Sequence, residues 1–118
     1  EEKIERDRVI DTINTQPKQF KLALYSIINI HNKNASSNMP IFTGEIYDLY
    51  KDACFKSGLR PLTQRRVSDI IAEMDMLGII TTRVISKGRY GRTREICLAI
   101  PDAITENIHS TLKEGLSL

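Results

Sequence analysis

A chain of 118 residues, 41% apolar and 27% charged, has the size and composition of one ordered domain with a single modest core. Its 17 Lys and Arg against 15 Asp and Glu leave a net charge of only +2, too small to make the whole surface basic. No apolar run approaches the roughly 20 residues that cross a bilayer, and the opening Glu1-Glu2-Lys3-Ile4-Glu5-Arg6-Asp7-Arg8 is too charged for a secretory signal.

Residues 4–15, with apolar Ile4, Val9, Ile10 and Ile13 among charges, predict a weak helix that enters from a preceding domain. The first residue is not Met, and the chain reads as a piece of something longer. Pro17 begins a stronger helix on which Phe20, Leu24, Ile27, Ile28 and His31 keep helical spacing, joined by Leu22 and Tyr25. The polar stretch from Asn32 to Pro40 is expected to be a loop. Thr43 is the expected N-cap of the next helix, with Glu45 in its first turn and Ile46, Leu49, Tyr50, Ala53 and Cys54 as its buried stripe. Gly58 closes that helix and Leu59-Arg60-Pro61 is a short connection.

Thr63 is placed to cap the following helix, and Leu62 and Val67 have the spacing of a hydrophobic staple. Val67, Ile70, Ile71, Met74 and Leu77 form its apolar stripe, and Gly78 ends it. Ile79–Ser86 and Thr93–Ile100 read as two strands joined by a turn at Lys87–Arg92, with Ile96, Leu98 and Ile100 alternating toward the core. Pro101 opens a last helix with Ile104, Ile108 and Leu112 at four-residue steps. The fold class expected is mainly α with a small β-hairpin, a winged helix-turn-helix.

The segment from Arg83 to Arg94 carries five basic side chains and no acid. Without those five, twelve bases face fifteen acids, so the positive charge is concentrated in one projecting loop. Gly88 and Gly91 bracket Arg89-Tyr90 at its tip. A basic, aromatic-tipped loop of this kind suits a nucleic-acid groove with phosphates on both sides. Arg83, Lys87, Arg89, Arg92 and Arg94 are candidates for phosphate or minor-groove contact, and Tyr90 for a phosphate or sugar.

Arg65 and Arg66 lie at the second and third positions of the helix that Thr63 caps, where positive charge opposes the helix dipole by ~0.3–1 kcal/mol per site. A sequence selected for stability alone would carry acids there. In a helix-turn-helix these positions meet base edges or phosphates. Thr63, Gln64, Arg65, Arg66 and Ser68 are therefore the candidate reading face, since Arg bonds guanine and Gln bonds adenine bidentately. Asp69, Glu73 and Asp75 lie further along and are expected to point away from phosphate.

Phosphate-loop, dinucleotide and nucleophile-elbow signatures are missing, acids are not paired for general acid–base work, and no His or Cys has metal-ligand spacing. No enzyme activity, cofactor or metal is expected of this chain. Cys54 and Cys97 read as reduced core residues in a reducing compartment, His31 as a core residue and His109 as a surface residue.

The segments Ile4–Ile10, Leu62–Ser68 and Gly88–Arg94 resemble the archaeal replication initiators, relatives of eukaryotic origin recognition complex subunit one and of the cell division control initiator ATPase. Arg89-Tyr90-Gly91-Arg92-Thr93 is the most specific part of the likeness, which covers essentially the whole chain. The resemblance implies a C-terminal winged helix over residues 16–118, preceded over residues 1–15 by an entry helix from the lid of an AAA+ ATPase module. It implies that Gln64, Arg65, Arg66 and Ser68 face a major groove and that Arg89, Tyr90, Gly91 and Arg92 enter the neighbouring minor groove. The implied partner is double-stranded origin DNA, with other replication initiators or helicase-loading proteins beside it and no membrane. The implied setting is cytoplasmic and nucleoid-associated, with a monomer in isolation and ATP binding confined to the full-length protein. Two other readings of the residues stand beside it: a winged-helix transcriptional regulator, and a winged helix used only for protein contact.

Overall fold

The structure, a computed structural model, describes residues 2–34, 41–86 and 92–116. In chain order they form α1 (Glu2–Asn14), α2 (Lys18–Asn34), β1 (Ile41–Phe42), α3 (Thr43–Lys56), α4 (Gln64–Met76), β2 (Ile80–Ser86), β3 (Arg92–Leu98) and α5 (Asp102–Gly115). This is the winged helix-turn-helix that the sequence leads one to expect, five helices with a small antiparallel sheet. The sheet order is β1-β3-β2. The two-residue strand β1 pairs Ile41 with Ile96 and Phe42 with Glu95, and adds a third strand to the expected hairpin.

The helix α2 is central. Phe20, Leu22, Leu24, Ile27, Ile28 and Ile30 are all buried, because α3, α4, α5 and the sheet pack around it. One apolar stripe was expected, yet nearly every side of α2 is covered. Ser26 meets this burial by donating from its hydroxyl to the Leu22 carbonyl at 2.9 Å. At the other end α2 runs on to Asn34, beyond the expected loop start at Asn32; residues 35–40 lie outside the described residues. Ile13 of α1 is buried in the same core, with Val9 and Ile10 packed against it.

Both helices of the helix-turn-helix end in the same way. Gly58 and Gly78 adopt φ of +73° and +78°, the left-handed region that favours glycine. Leu59 N–H then reaches the Cys54 carbonyl at 2.8 Å, and Ile79 N–H reaches Met74 at 3.0 Å. Gly58 and Gly78 bond Phe55 and Asp75 at 3.2 and 3.1 Å, which completes a Schellman motif at each end.

Several sequence expectations are corrected. Thr43 is the first residue of α3 rather than its cap; Phe42 occupies the N-cap and gives no side-chain cap bond. Leu49 is 40% exposed and Leu77 45% exposed, so the apolar stripes of α3 and α4 are each one residue narrower than expected. Cys54 is buried but Cys97 is exposed, and both are free. The alternation that buries Ile96 sends Cys97 to the opposite face of β3. His31 is half-exposed and lies 3.8 Å from Asp102, so it is not a core residue. His109 is not a plain surface residue: its ring stacks on Tyr25 with centroids 5.0 Å apart, and its Nε2 lies 2.7 Å from Asn29 Oδ1.

Candidate nucleic-acid interface

The start of α4 is held in place by its cap and by the turn before it. Thr63 has extended backbone and its hydroxyl accepts from Arg66 N–H at 3.3 Å. Leu62 is half-buried and Val67 buried, as a staple across that cap requires. The connection itself is bonded from behind. Leu62 N–H donates to the Tyr50 hydroxyl at 2.8 Å and Tyr47 donates to the Leu62 carbonyl at 3.0 Å. Gln19 of α2 donates to the Arg60 carbonyl at 3.2 Å while its Oε1 accepts from the Tyr50 hydroxyl. Burial pushes the Tyr50 hydroxyl up to about 12 and raises the Cys54 thiol, so both stay protonated. The Cys54 thiol in turn lies 3.8 Å from Gln19 Oε1. Gln19 and Tyr47 went unnoticed in the sequence. Their role depends on backbone groups of a loop that no periodicity marks.

Thr63, Gln64, Arg65 and Arg66 are exposed and Ser68 is half-buried. Among the described residues neither Arg65 nor Arg66 is ion-paired. The two arginines do not share a face. Successive helical residues turn by about 100°, so Arg66 falls with Asp69 and Glu73. Those three line a groove of ≈ 440 Å³ with Gln16, Pro17 and Gln19, on the side of α4 toward the α1–α2 junction. Gln64, Ser68 and Asp75 fall within about 40° of one another on the opposite flank. Asp75 fixes that flank against the sheet by accepting from the Thr82 hydroxyl at 3.0 Å. Arg65 lies on the outermost stripe, between the two flanks.

The wing stem has two faces. Residues opposite each other in the β2–β3 ladder share a face: Ile80 with Leu98, Thr82 with Ile96 and Val84 with Arg94. Ile80 and Ile96 are buried, so this face covers the core and looks toward α4. Beyond the core it carries exposed Arg94 and Val84, the latter 58% exposed. The other face carries Thr81, Arg83, Glu95 and Cys97. Arg83 Nη2 lies 2.7 Å from Glu95 Oε2. Arg92 pairs with Ser86 at the outer end of the ladder. Lys87, Gly88, Arg89, Tyr90 and Gly91 lie outside the described residues. The Thr82–Asp75 hydrogen bond thus joins the α4 flank that bears Gln64 and Ser68 to the sheet face that bears Arg94.

Among the described residues no group of three His, Cys, Asp or Glu side chains is placed to hold a metal ion, and no helix is long and apolar enough to cross a membrane.

Comparison with known proteins agrees with this architecture. Residues 11–108 match the family described as CDC6, C terminal winged helix domain. ORC1-type DNA replication protein 1 of Methanosarcina mazei is 47% identical over 118 residues, all of this chain and 28% of that protein. The ORC1-type DNA replication protein of Thermococcus kodakarensis is 47% identical over 109 residues, 92% of this chain and 26% of that protein. The chain therefore spans just over a quarter of these relatives' length. Among solved structures, the Aeropyrum pernix Orc1 protein in complex with DNA superposes on 95% of this chain and 28% of its own with a TM-score of 0.81 and 46% identity. Cdc6p from Pyrobaculum aerophilum shares the fold over 94% of this chain and 26% of its own, with a TM-score of 0.65 at 22% identity. What the chain matches is the winged-helix domain and not an ATPase module. The chain belongs to the CDC6 C-terminal winged helix domain family of replication initiators, with archaeal ORC1-type proteins as its relatives.

Proposed function

We propose that this domain binds double-stranded DNA at replication origins, with α4 in the major groove and the wing in the adjacent minor groove. The observation that carries the reading is the 46% identity, over 95% of the chain, to an Orc1 protein solved with DNA. The geometry supports it. An α4 flank with Gln64 and Ser68 is joined to the Arg94 face of the wing stem, and the exposed Arg65 points outward between the two flanks of α4. Arg66, on the far flank, is placed for a phosphate rather than a base. Arg89, Tyr90, Gly91 and Arg92 are assigned to the wing contact by family resemblance, and Lys87 by its charge beside them. Residues 1–15 belong, on the same ground, to the entry helix from an ATPase lid. The full-length protein is then an ATP-binding initiator of the cytoplasmic nucleoid, whose further partners are other initiators or helicase loaders, and the isolated domain is a monomer.

The test is fluorescence anisotropy with a labelled duplex at several salt concentrations. Neutralising about five phosphates gives a slope of log K against log[salt] near −4.5. Arg65→Ala is expected to cost about 1–3 kcal/mol at a preferred site if it meets a base. It should leave the fold intact or slightly firmer, since it removes a charge opposed to the helix dipole. A flat salt response would end the reading.

A further inference from the structure

We propose that Glu95 is a positioning residue that withholds Arg83 from DNA and so makes the wing stem one-sided. The inference rests on the DNA-binding reading above and deepens it. By sequence Arg83 is one of five equivalent cations; by structure it is unlike Arg94. The ladder sets Arg83 directly opposite Glu95, on the face turned away from α4, and sets Arg94 opposite Val84 on the face toward it. Arg83 and Glu95 close to 2.7 Å. The carboxylate is the anchored partner: its side chain is 19% exposed against 77% for the guanidinium. Glu95 lies on the middle strand of three, with Phe42 of β1 as its ladder partner on the other side. A carboxylate set in the sheet therefore draws a long, otherwise free cation sideways across the stem.

Two consequences follow for a polyanion. The outward face of the stem is close to neutral, because the charges of Arg83 and Glu95 cancel there. On the face toward α4, Arg94 has no ion-pair partner among the described residues; the nearby Asp75 is engaged by the Thr82 hydroxyl. A duplex is then gripped from one side of the wing, and Glu95 prevents a second, sequence-blind phosphate site on its back. Each phosphate neutralised contributes about −0.9 to the salt slope, so the arrangement is countable.

The experiment compares wild type with Glu95→Gln, Arg94→Ala and the double variant Arg83→Ala/Glu95→Gln. The probe is one labelled duplex titrated over a fourfold range of salt, with circular dichroism and melting to check the fold. Glu95→Gln keeps the shape of the side chain and frees Arg83. Its slope should steepen by about 0.9, so that about 3.5-fold more affinity is lost across the fourfold rise in salt. Arg94→Ala should lessen the slope by about the same amount. The double variant removes the neutral pair as a unit and should match wild type. A role confined to holding the stem together would change melting and leave the slopes alone. A double variant that loses as much slope as Arg94→Ala, or a Glu95→Gln variant with the wild-type slope, overturns this inference while DNA binding stands. Wild type with no salt-dependent duplex binding overturns the DNA reading and this inference together.

Discussion

The turn between α3 and α4 and the stem of the wing are both irregular or edge structures, yet they are held by different means. Side chains from the core reach into the turn. Gln19, Tyr47 and Tyr50 bond the backbone at Arg60 and Leu62 from α2 and α3. The stem is held mainly by its own ladder, which runs from Ile80↔Leu98 to Ser86↔Arg92. Its buried anchors, Ile80 and Ile96, lie at the base, and by Val84 the strand is 58% exposed. A few of the core's polar groups therefore fix the start of α4, whereas register and the Arg83–Glu95 pair fix the wing. The start of α4 is thus fixed from behind, whereas the wing stem beside it is anchored at its base.

The comparison breaks most sharply at Tyr50. Tyr50→Phe keeps the buried ring and removes the hydroxyl that Leu62 N–H and Gln19 Oε1 share. Leaving those groups unpaired is expected to cost about 1–3 kcal/mol. A fall in urea midpoint at constant m value would register it. Duplex affinity should fall with it, because the α4 start loses its backing. Ladder amides of the stem should keep their exchange protection relative to global stability. Equal loss of protection in turn and stem would mean that the two regions are one cooperative unit.

A smaller effect is expected at Gly78, the joint between α4 and β2. A Cβ there would meet nothing within 4 Å, so no clash arises, and the strain is in the φ of +78° alone. Gly78→Ala should cost about 1–2 kcal/mol. Gly78→Asn should cost less, because Asn tolerates the left-handed region. Thermal melts of the two variants separate backbone strain from packing; equal losses would point to packing.

How far the fold was legible follows from the same residues. The caps at Thr63, Gly58 and Gly78 are local, and local rules placed them. The single stripe read on α2 was incomplete, because periodicity shows which side meets a partner but not how many partners surround a helix. The strand β1 has two residues, too few to alternate, and exists because β3 offers it an edge. Cys97 was misplaced by its residue type, although the alternation through Ile96 and Leu98 already sent it outward. Leu77 sits at the C-cap of α4, where the chain leaves the buried face before Gly78. The candidate site was legible as a set of cations but not as a geometry. Splitting Arg65 from Arg66 requires knowing on which flank the wing lies, and the Arg83–Glu95 pair requires the β2–β3 register, which residue types alone do not fix.

Thr63→Ala sharpens the comparison more gently. The cap bond is long, at 3.3 Å, and exposed, so the cost should lie near the lower end of the usual range, about 0.5–1 kcal/mol. It should weaken DNA binding by fraying the turn that carries Gln64, Arg65 and Arg66, and leave the wing unchanged. Amide exchange at Arg66, whose N–H the cap accepts, is the direct readout; unchanged protection there would show that the staple alone holds the turn.

The smallest effect is expected at His109, which serves as a control because it belongs to neither region. Burial holds the His109 imidazole below its ordinary value of 6.5, and Lys113 on the same helix lowers it further. The unfolded chain therefore takes up this proton at a higher pH than the folded one. The stability tied to the neutral ring is present above the ordinary value and is lost as pH falls through the lowered one. Acidification from neutral pH should thus loosen the α2–α5 contact made through Tyr25 and Asn29. Melting curves of wild type and His109→Gln across that range give the difference, with His31 and its neighbour Asp102 common to both. Wild type should lose more stability than the variant on acidification, while protection of the Leu59–Leu62 turn and of the stem falls only in step with global stability. A variant that loses as much as wild type would place the pH dependence in other groups. A selective opening of the turn in acid would mean that α2 transmits strain from α5 to the fixed end of the reading surface.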